Sequence, residues 1–169
     1  MWKKTLTAVL AVGVMGTTAS VWSHANEVSG HAVAKYMPAK VSLQQGLTAA
    51  ESQGQPISGK FEVDDGHFQL SVYTAKDGKF SEVLVDQNTG KVVKSEAIAE
   101  GGDLANAQRQ MAAYSESKTS LKAAVDRAEA AYPGYRAVSV TPAISKGHPV
   151  AVVSMVQGSQ VRSKVESLE

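Results

Sequence analysis

From position 40 onward the spacing of apolar residues shifts from helical to strand period, and the same shift recurs later in the chain. Leu43, Leu47 and Ala50 fall on one face of a helix. Ser42 ahead of them is a good N-cap, and Gln45 three residues later completes a capping box. Gly54 and Pro56 end the helix. The period then drops to two. Phe61 and Val63 alternate with polar residues up to Asp65-Gly66, a strong hairpin signal. Phe68, Leu70 and Val72 alternate with His67, Gln69 and Ser71, which predicts one buried and one wet face. Asp77-Gly78 marks a turn before a strand over residues 80–85, and Asp86-Gln87-Asn88-Thr89-Gly90 marks another before a short last strand, Lys91-Val92-Val93.

The second occurrence begins where Lys118-Thr119-Ser120-Leu121 echoes Lys40-Val41-Ser42-Leu43. At the same offset Leu47 faces Val125, Ala50 faces Ala128 and Glu51 faces Glu129. Past an insertion at Tyr132-Pro133-Gly134, Gly66-His67 aligns with Gly147-His148. Ser120 caps a helix whose stripe is Leu121, Ala124, Val125, Ala128 and Tyr132, although Ala123 leaves the capping box incomplete. Strands follow over residues 137–140 and 150–156, then a Gln157-Gly158-Ser159 turn and a strand through Val161 and Val165. No counterpart of the Asp-x-x-Thr-Gly-Lys turn follows, so this copy is expected to lack the final hairpin.

Between the copies Gly101-Gly102 breaks the chain, and Asp103 caps a helix through Leu104, Ala107 and Met111 to Tyr114. It reads as a connecting helix, with a flexible linker as the alternative. The expected fold class is therefore α+β: two tandem modules, each an α-helix packed on a three- to four-stranded antiparallel sheet, joined by a helical linker. The boundaries are 40–96 for the first module, 97–117 for the linker and 118–169 for the second, short module.

Ahead of these segments Lys3 and Lys4 precede an uncharged apolar stretch from Leu6 to Ala19, and Ser23-His24-Ala25 supplies a small-x-small cleavage pattern. Residues 1–25 read as a signal peptide cut after Ala25. The alternative, an uncleaved anchor, fits less well, because the apolar run falls short of the about 20 residues a span needs. Residues 26–39 show no period and read as a flexible arm. The expected address is periplasmic or secreted, with no membrane anchor after cleavage.

Composition narrows the chemistry. Cleavage removes Lys3 and Lys4 and no acid, so 17 basic and 16 acidic residues become 15 and 16. A near-neutral chain lacks the basic surface of a nucleic-acid binder. With no cysteine, disulfides, thiolate metal sites and cysteine nucleophiles are excluded.

The helix opened by Ser-Leu, the hairpin into an alternating strand, and Val85-Asp86-Gln87-Asn88-Thr89-Gly90-Lys91-Val92 together resemble the PepSY family. Residues 41–94 carry the whole pattern; residues 119–169 match the helix and first strands and depart by ending early. The resemblance implies a non-catalytic binding module akin to those in propeptides of secreted metallopeptidases, where they are associated with inhibition and assisted folding. PepSY modules also occur as extracytoplasmic parts of membrane proteins, sensors among them, so the alternative function is a small-ligand or metal-sensing module of an extracytoplasmic signalling system. The implied partner is another exported protein, a peptidase being one candidate, and any peptidase is expected on another chain.

The residues offer little catalytic machinery. No Gly-x-Ser-x-Gly elbow, Walker loop, dinucleotide fingerprint or zinc-peptidase helix is present, so no enzyme activity, catalytic residue or cofactor is assigned. His67 and His148 occupy equivalent hairpin positions, and a pseudo-symmetric pairing would bring them together around a metal. A stable site wants three or four ligands, and a solvated turn residue is the better explanation of each histidine, so no metal is assigned. Asp86-x-Asn88-x-Gly90 opens like a calcium loop but continues into Lys91 and two valines, as a side-chain-stabilised turn does. What remains is the wet sheet face of the first copy, with His67, Gln69, Ser71 and Tyr73. Tyr73 and Tyr36 would serve as anchors with an apolar body and a polar tip. The alternative is that these faces pack the two copies together. A copy lacking its last hairpin would also present a free strand edge.

Overall fold

The computed structural model describes residues 39–64 and 66–169. The signal-peptide reading, most of the arm with His31 and Tyr36, and Asp65 lie outside the described residues. Helix α1 spans Leu43–Ala50. Strands β1 (Gln55–Asp64), β2 (His67–Lys76), β3 (Lys79–Val85) and β4 (Val92–Ile98) follow as a meander. Helix α2 (Gly101–Ser115) leads into α3 (Leu121–Ala131), and β5 (Arg136–Ser145), β6 (His148–Gln157) and β7 (Gln160–Ser167) complete the chain.

Both outer helices start as their caps dictate. The Ser42 backbone N–H donates to Gln45 Oε1 at 2.7 Å while Ser42 Oγ accepts from the Gln45 N–H at 3.2 Å, which closes the capping box. Ser120 Oγ accepts from Ala123 N–H at 3.2 Å, without the return bond that alanine cannot make. A second device recurs ahead of each helix. The N–H groups of Lys40 and Val41 both donate to the Gln87 carbonyl, and those of Lys118 and Thr119 both donate to the Leu168 carbonyl. Each helix is thereby clasped to the segment that leaves its third strand.

The seven strands form one antiparallel sheet in the order β4-β3-β2-β1-β5-β6-β7. The halves meet edge to edge, where Gly59 pairs with Val140 and Lys60 with Ser139. Both seam strands carry a bulge just before this point, between Pro56 and Ser58 in β1 and between Ala137 and Ser139 in β5, which sharpens the local twist. Tight turns close the hairpins. Asp77 and Gly78, and likewise Lys146 and Gly147, all have positive φ, the type I′ geometry that matches the twist of flanking strands.

Helices α1 and α3 lie side by side on one face of the sheet. Gln44 Nε2 donates to Asp126 Oδ1 at 3.0 Å and Glu129 Oε2 at 2.9 Å, and Lys122 Nζ reaches Glu51 Oε1 at 2.9 Å. Beneath them one apolar core runs through both halves, from Leu43, Leu47, Leu70 and Val72 to Val125, Val140, Val153 and Met155. Glycine permits the tightest approach. Gly46 of α1 sits directly over Leu70, and Gly59 of β1 leaves room for Leu43 and Leu47. The opposite face carries α2, which crosses β1 and β5 at the seam and closes a smaller cluster of Ile57, Tyr73 and Ala107 with Phe80, Ile98 and Met111 around it. The sheet is thus sandwiched at its centre and open on one face toward its ends.

Candidate functional site

The residues expected on a free sheet face lie partly under α2. In β2 the side chains of Leu70 and Val72 enter the main core, so Gln69, Ser71 and Tyr73 project to the other face. Gln69 is half-buried and His67 exposed, whereas Ser71 and Tyr73 are buried at 1% and 9% exposure. Tyr73 packs on Ile57 and Ala107, and Ser71 Oγ donates to Glu82 Oε1. The connecting helix thus occupies the ground that the alternation in β2 marks as wet.

Where α2 crosses the seam it leaves a polar cleft of about 120 Å³. Asp103, Asn106 and Gln110 line it from the helix; spaced at i, i+3 and i+7, they share one face. Ser58 and Lys60 of β1, Ser71 and Tyr73 of β2, and Thr141 of β5 line it from below. Ser58 Oγ donates to Gln110 Oε1 at 2.7 Å, and Lys60 Nζ contacts Glu62 Oε2 at 2.6 Å. Burial pushes the Tyr73 phenol well above its ordinary value, and the nearby Asp103 carboxylate pushes the same way. Tyr73 therefore stays a neutral donor in the cleft it shares with Asp103. The volume corresponds to about four waters or one very small polar molecule. Its inventory suits hydrogen-bonded binding. The two buried serine hydroxyls are already committed to Gln110 and Glu82.

Sequence reasoning placed Asp103 as the cap of α2. In the structure Glu100 holds the cap position without a side-chain bond, and Asp103 lies in the first turn, where its charge suits the positive end of the helix dipole. Asn106, Gln110, Ser58 and Thr141 were not singled out. A stripe of polar residues interleaved with Ala107 and Met111 was the available signal.

The two equivalent histidines stand far apart. β1 and β5 run antiparallel through the Gly59–Val140 pair, so the hairpin ends that carry His67 and His148 point to opposite ends of the sheet. Each histidine lies about five residues beyond the seam pair, which separates them by roughly 30 Å. They form no common metal site within one chain. His148 Nδ1 lies 2.9 Å from Glu169 Oε1. Among the described residues no group of three or more His, Cys, Asp or Glu is placed to hold a metal ion. Asp86 works as a turn residue. Its Oδ1 accepts from the Asn88 N–H, the Thr89 N–H and Thr89 Oγ1 at 2.7–3.0 Å. These bonds, the Thr89 hydroxyl first, hold its carboxyl below the usual range.

The remaining surface with binding potential is backbone. β4 and β7 end the sheet order, and among the described residues each pairs on one side only. Such edges carry rows of free N–H and C=O groups. Among the described residues, no helix is long and apolar enough to cross a membrane.

Comparison with known proteins returns one family. Residues 40–96 match the PepSY model, described as peptidase propeptide and YPEB domain. No curated protein and no solved structure matches the chain.

Proposed function

We propose, for a chain whose residues 40–96 form a PepSY domain, that it is an exported, non-catalytic binding protein that modulates another extracytoplasmic protein. The family match carries this reading, since PepSY domains are typically extracytoplasmic and of a regulatory or inhibitor-like kind. In this proposal residues 1–25 are a cleaved signal peptide, and the mature chain works in the periplasm or the medium. Residues 118–169 are a second, shorter PepSY-like module joined through residues 97–117. The matching element order, serine caps and backbone clasps of the two halves support that division.

A peptidase is the favoured class of partner. Inhibition needs an occluding surface and no chemistry. Because α2 takes the central part of the wet face, the surface offered is the β7 edge, with the exposed Val165 beside free backbone groups. An extended partner segment would add there as a further strand, held by main-chain hydrogen bonds. The test is a pull-down from the exported fraction, then peptidase assays with and without the protein and amide exchange on the complex. A recovered partner with slowed exchange across residues 160–167 supports the proposal. If no partner is recovered and exported peptidase activities are unchanged, the proposal fails.

The polar cleft beneath α2 favours a second reading, a module that senses a small polar ligand. A thermal-shift screen of small amino and hydroxy acids tests it. A ligand whose stabilisation vanishes in Gln110→Ala supports sensing. No shift with any compound removes it. Replacing His67 and His148 with alanine leaves both readings untouched.

A further inference from the structure

We infer that β4 is a self-complementary edge through which two copies of the chain pair into one continuous sheet. The strand reads Val92-Val93-Lys94-Ser95-Glu96-Ala97-Ile98. Its sequence is close to a palindrome in polarity about Ser95, with opposite charges on the two sides. Two antiparallel copies related by a two-fold axis at Ser95 place Lys94 opposite the other copy's Glu96, twice by symmetry. The same register sets Val93 opposite Ala97, Val92 opposite Ile98, and Ser95 opposite itself. A two-fold contact of this kind is closed, with the same patch used on both sides.

Three observations on this strand support that occupant. First, β4 pairs only with β3 among the described residues, so one whole side of its backbone is free. Second, Lys94 and Glu96 are both more than half exposed, at 55% and 58%, and bridge each other at 2.9 Å within the strand. Both are thus accessible to a second copy. Third, the ladder sets Glu96 directly across from Glu82, and like charges so placed repel. A second copy adds its Lys94 on the free flank of this glutamate pair, a second cation beside the one that Glu96 already meets in its own strand. The bulge at Val93, which has no ladder partner in β3, lies outside the Lys94–Glu96 centre of the contact. Helix α2 starts just beyond this strand and packs near its last residue, Ile98, while its main contacts are with β1 and β5 at the seam.

The other edge shows what such a strand looks like without self-complementarity. Centred on Ser163, β7 would set Arg162 against Lys164 of a second copy. The charge pattern selects β4.

The experiment is sedimentation equilibrium of the purified protein from about 10 μM to 1 mM, a range suited to a small interface. The wild type should pass from monomer to dimer within it. Lys94→Glu and Glu96→Lys should each weaken the dimer by about tenfold or more, since each turns two attractive cross-strand pairs repulsive. An equimolar mixture of the two variants should form a heterodimer, because a strand with two acidic side chains then meets a strand with two basic ones. The double exchange, Lys94→Glu with Glu96→Lys, should restore the homodimer. Thermal melts of each variant verify folding. A wild type that stays monomeric to 1 mM overturns the inference. So do a dimer insensitive to both reversals and a mixture that remains monomeric.

Discussion

Replacing Gly46 with alanine tests how closely α1 rests on the sheet. At an exposed helix position this change stabilises by about 1 kcal/mol, because glycine loses more backbone entropy. Here the new methyl group would lie 3.0 Å from Leu70 Cγ and nearer still to Leu70 Cδ2, where carbon atoms rest at about 3.5–4.0 Å. Leu70 is itself fully buried, among Val72, Val83 and Val85, so it cannot swing into open space. Overpacking of this kind costs about 1–3 kcal/mol, and the confinement of Leu70 argues for the upper end. Subtracting the helix gain leaves a net loss of about 2 kcal/mol, which is about 4–8 °C in Tm for a chain of this size. Urea and thermal melts followed by circular dichroism measure it. Leu70→Ala alone should cost about 2–5 kcal/mol, and the double variant should cost less than the sum, since the methyl then enters the space left by the leucine. A Gly46→Ala protein as stable as wild type or more so, with additive behaviour in the double variant, would refute the close approach.

Two further substitutions probe the polar groups. For Glu166, burial favours the neutral acid, but the bonds from Lys164 and Arg127 outweigh it and hold the carboxyl below its ordinary 4.5. A depressed folded value means the stabilisation is present above about pH 4.5 and is lost as pH falls through the folded value. Glu166→Gln should therefore cost about 1–2 kcal/mol at pH 7 and nearly nothing at about pH 2–3, as read from denaturant midpoints at the two pH values. Tyr73→Phe removes the hydroxyl that faces Asp103 and should cost about 1 kcal/mol. Because burial and Asp103 both hold that phenol un-ionised, phenolate absorbance should rise equally in wild type and variant up to about pH 11. A deficit of one phenolate in the variant below that pH would contradict the buried placement.

Much of the local structure was legible because its causes are local. Ser42 with Gln45, and Ser120 without a partner at Ala123, declare their helix starts through hydrogen bonds made within one turn. Asp77-Gly78 and Gly147 declare hairpins through a backbone geometry that few residues tolerate. Elements without an alternating face were harder to read. β4 was expected to end near Val93, yet it runs to Ile98; as an edge strand wet on much of both faces it has no apolar rhythm to betray it. Pro56 reads as a helix stop in the sequence but lies inside β1, where the bulge accommodates it. The seam was not legible at all. Gly59 and Val140 meet through their backbones, and backbone pairing leaves no mark on side-chain pattern. The cleft beneath α2 depends on that seam, so its residues were hidden with it.

The seam also sets the order in which the molecule can assemble. Strand pairs within each half close loops of a few residues up to about twenty, whereas Gly59 and Val140 are about eighty residues apart in the chain. Closing the longer loop from a fully unfolded chain costs about 2 kcal/mol more than closing a ten-residue one. Once each half has formed its own helix and strands, the chain left between them is the segment containing α2. When that segment coils into its helix and lies across the join, the remaining search becomes short and directed. The connection that links the halves thus also shortens the path by which they find each other, and a first half emerging during synthesis has its own helix and four strands in hand before the second begins.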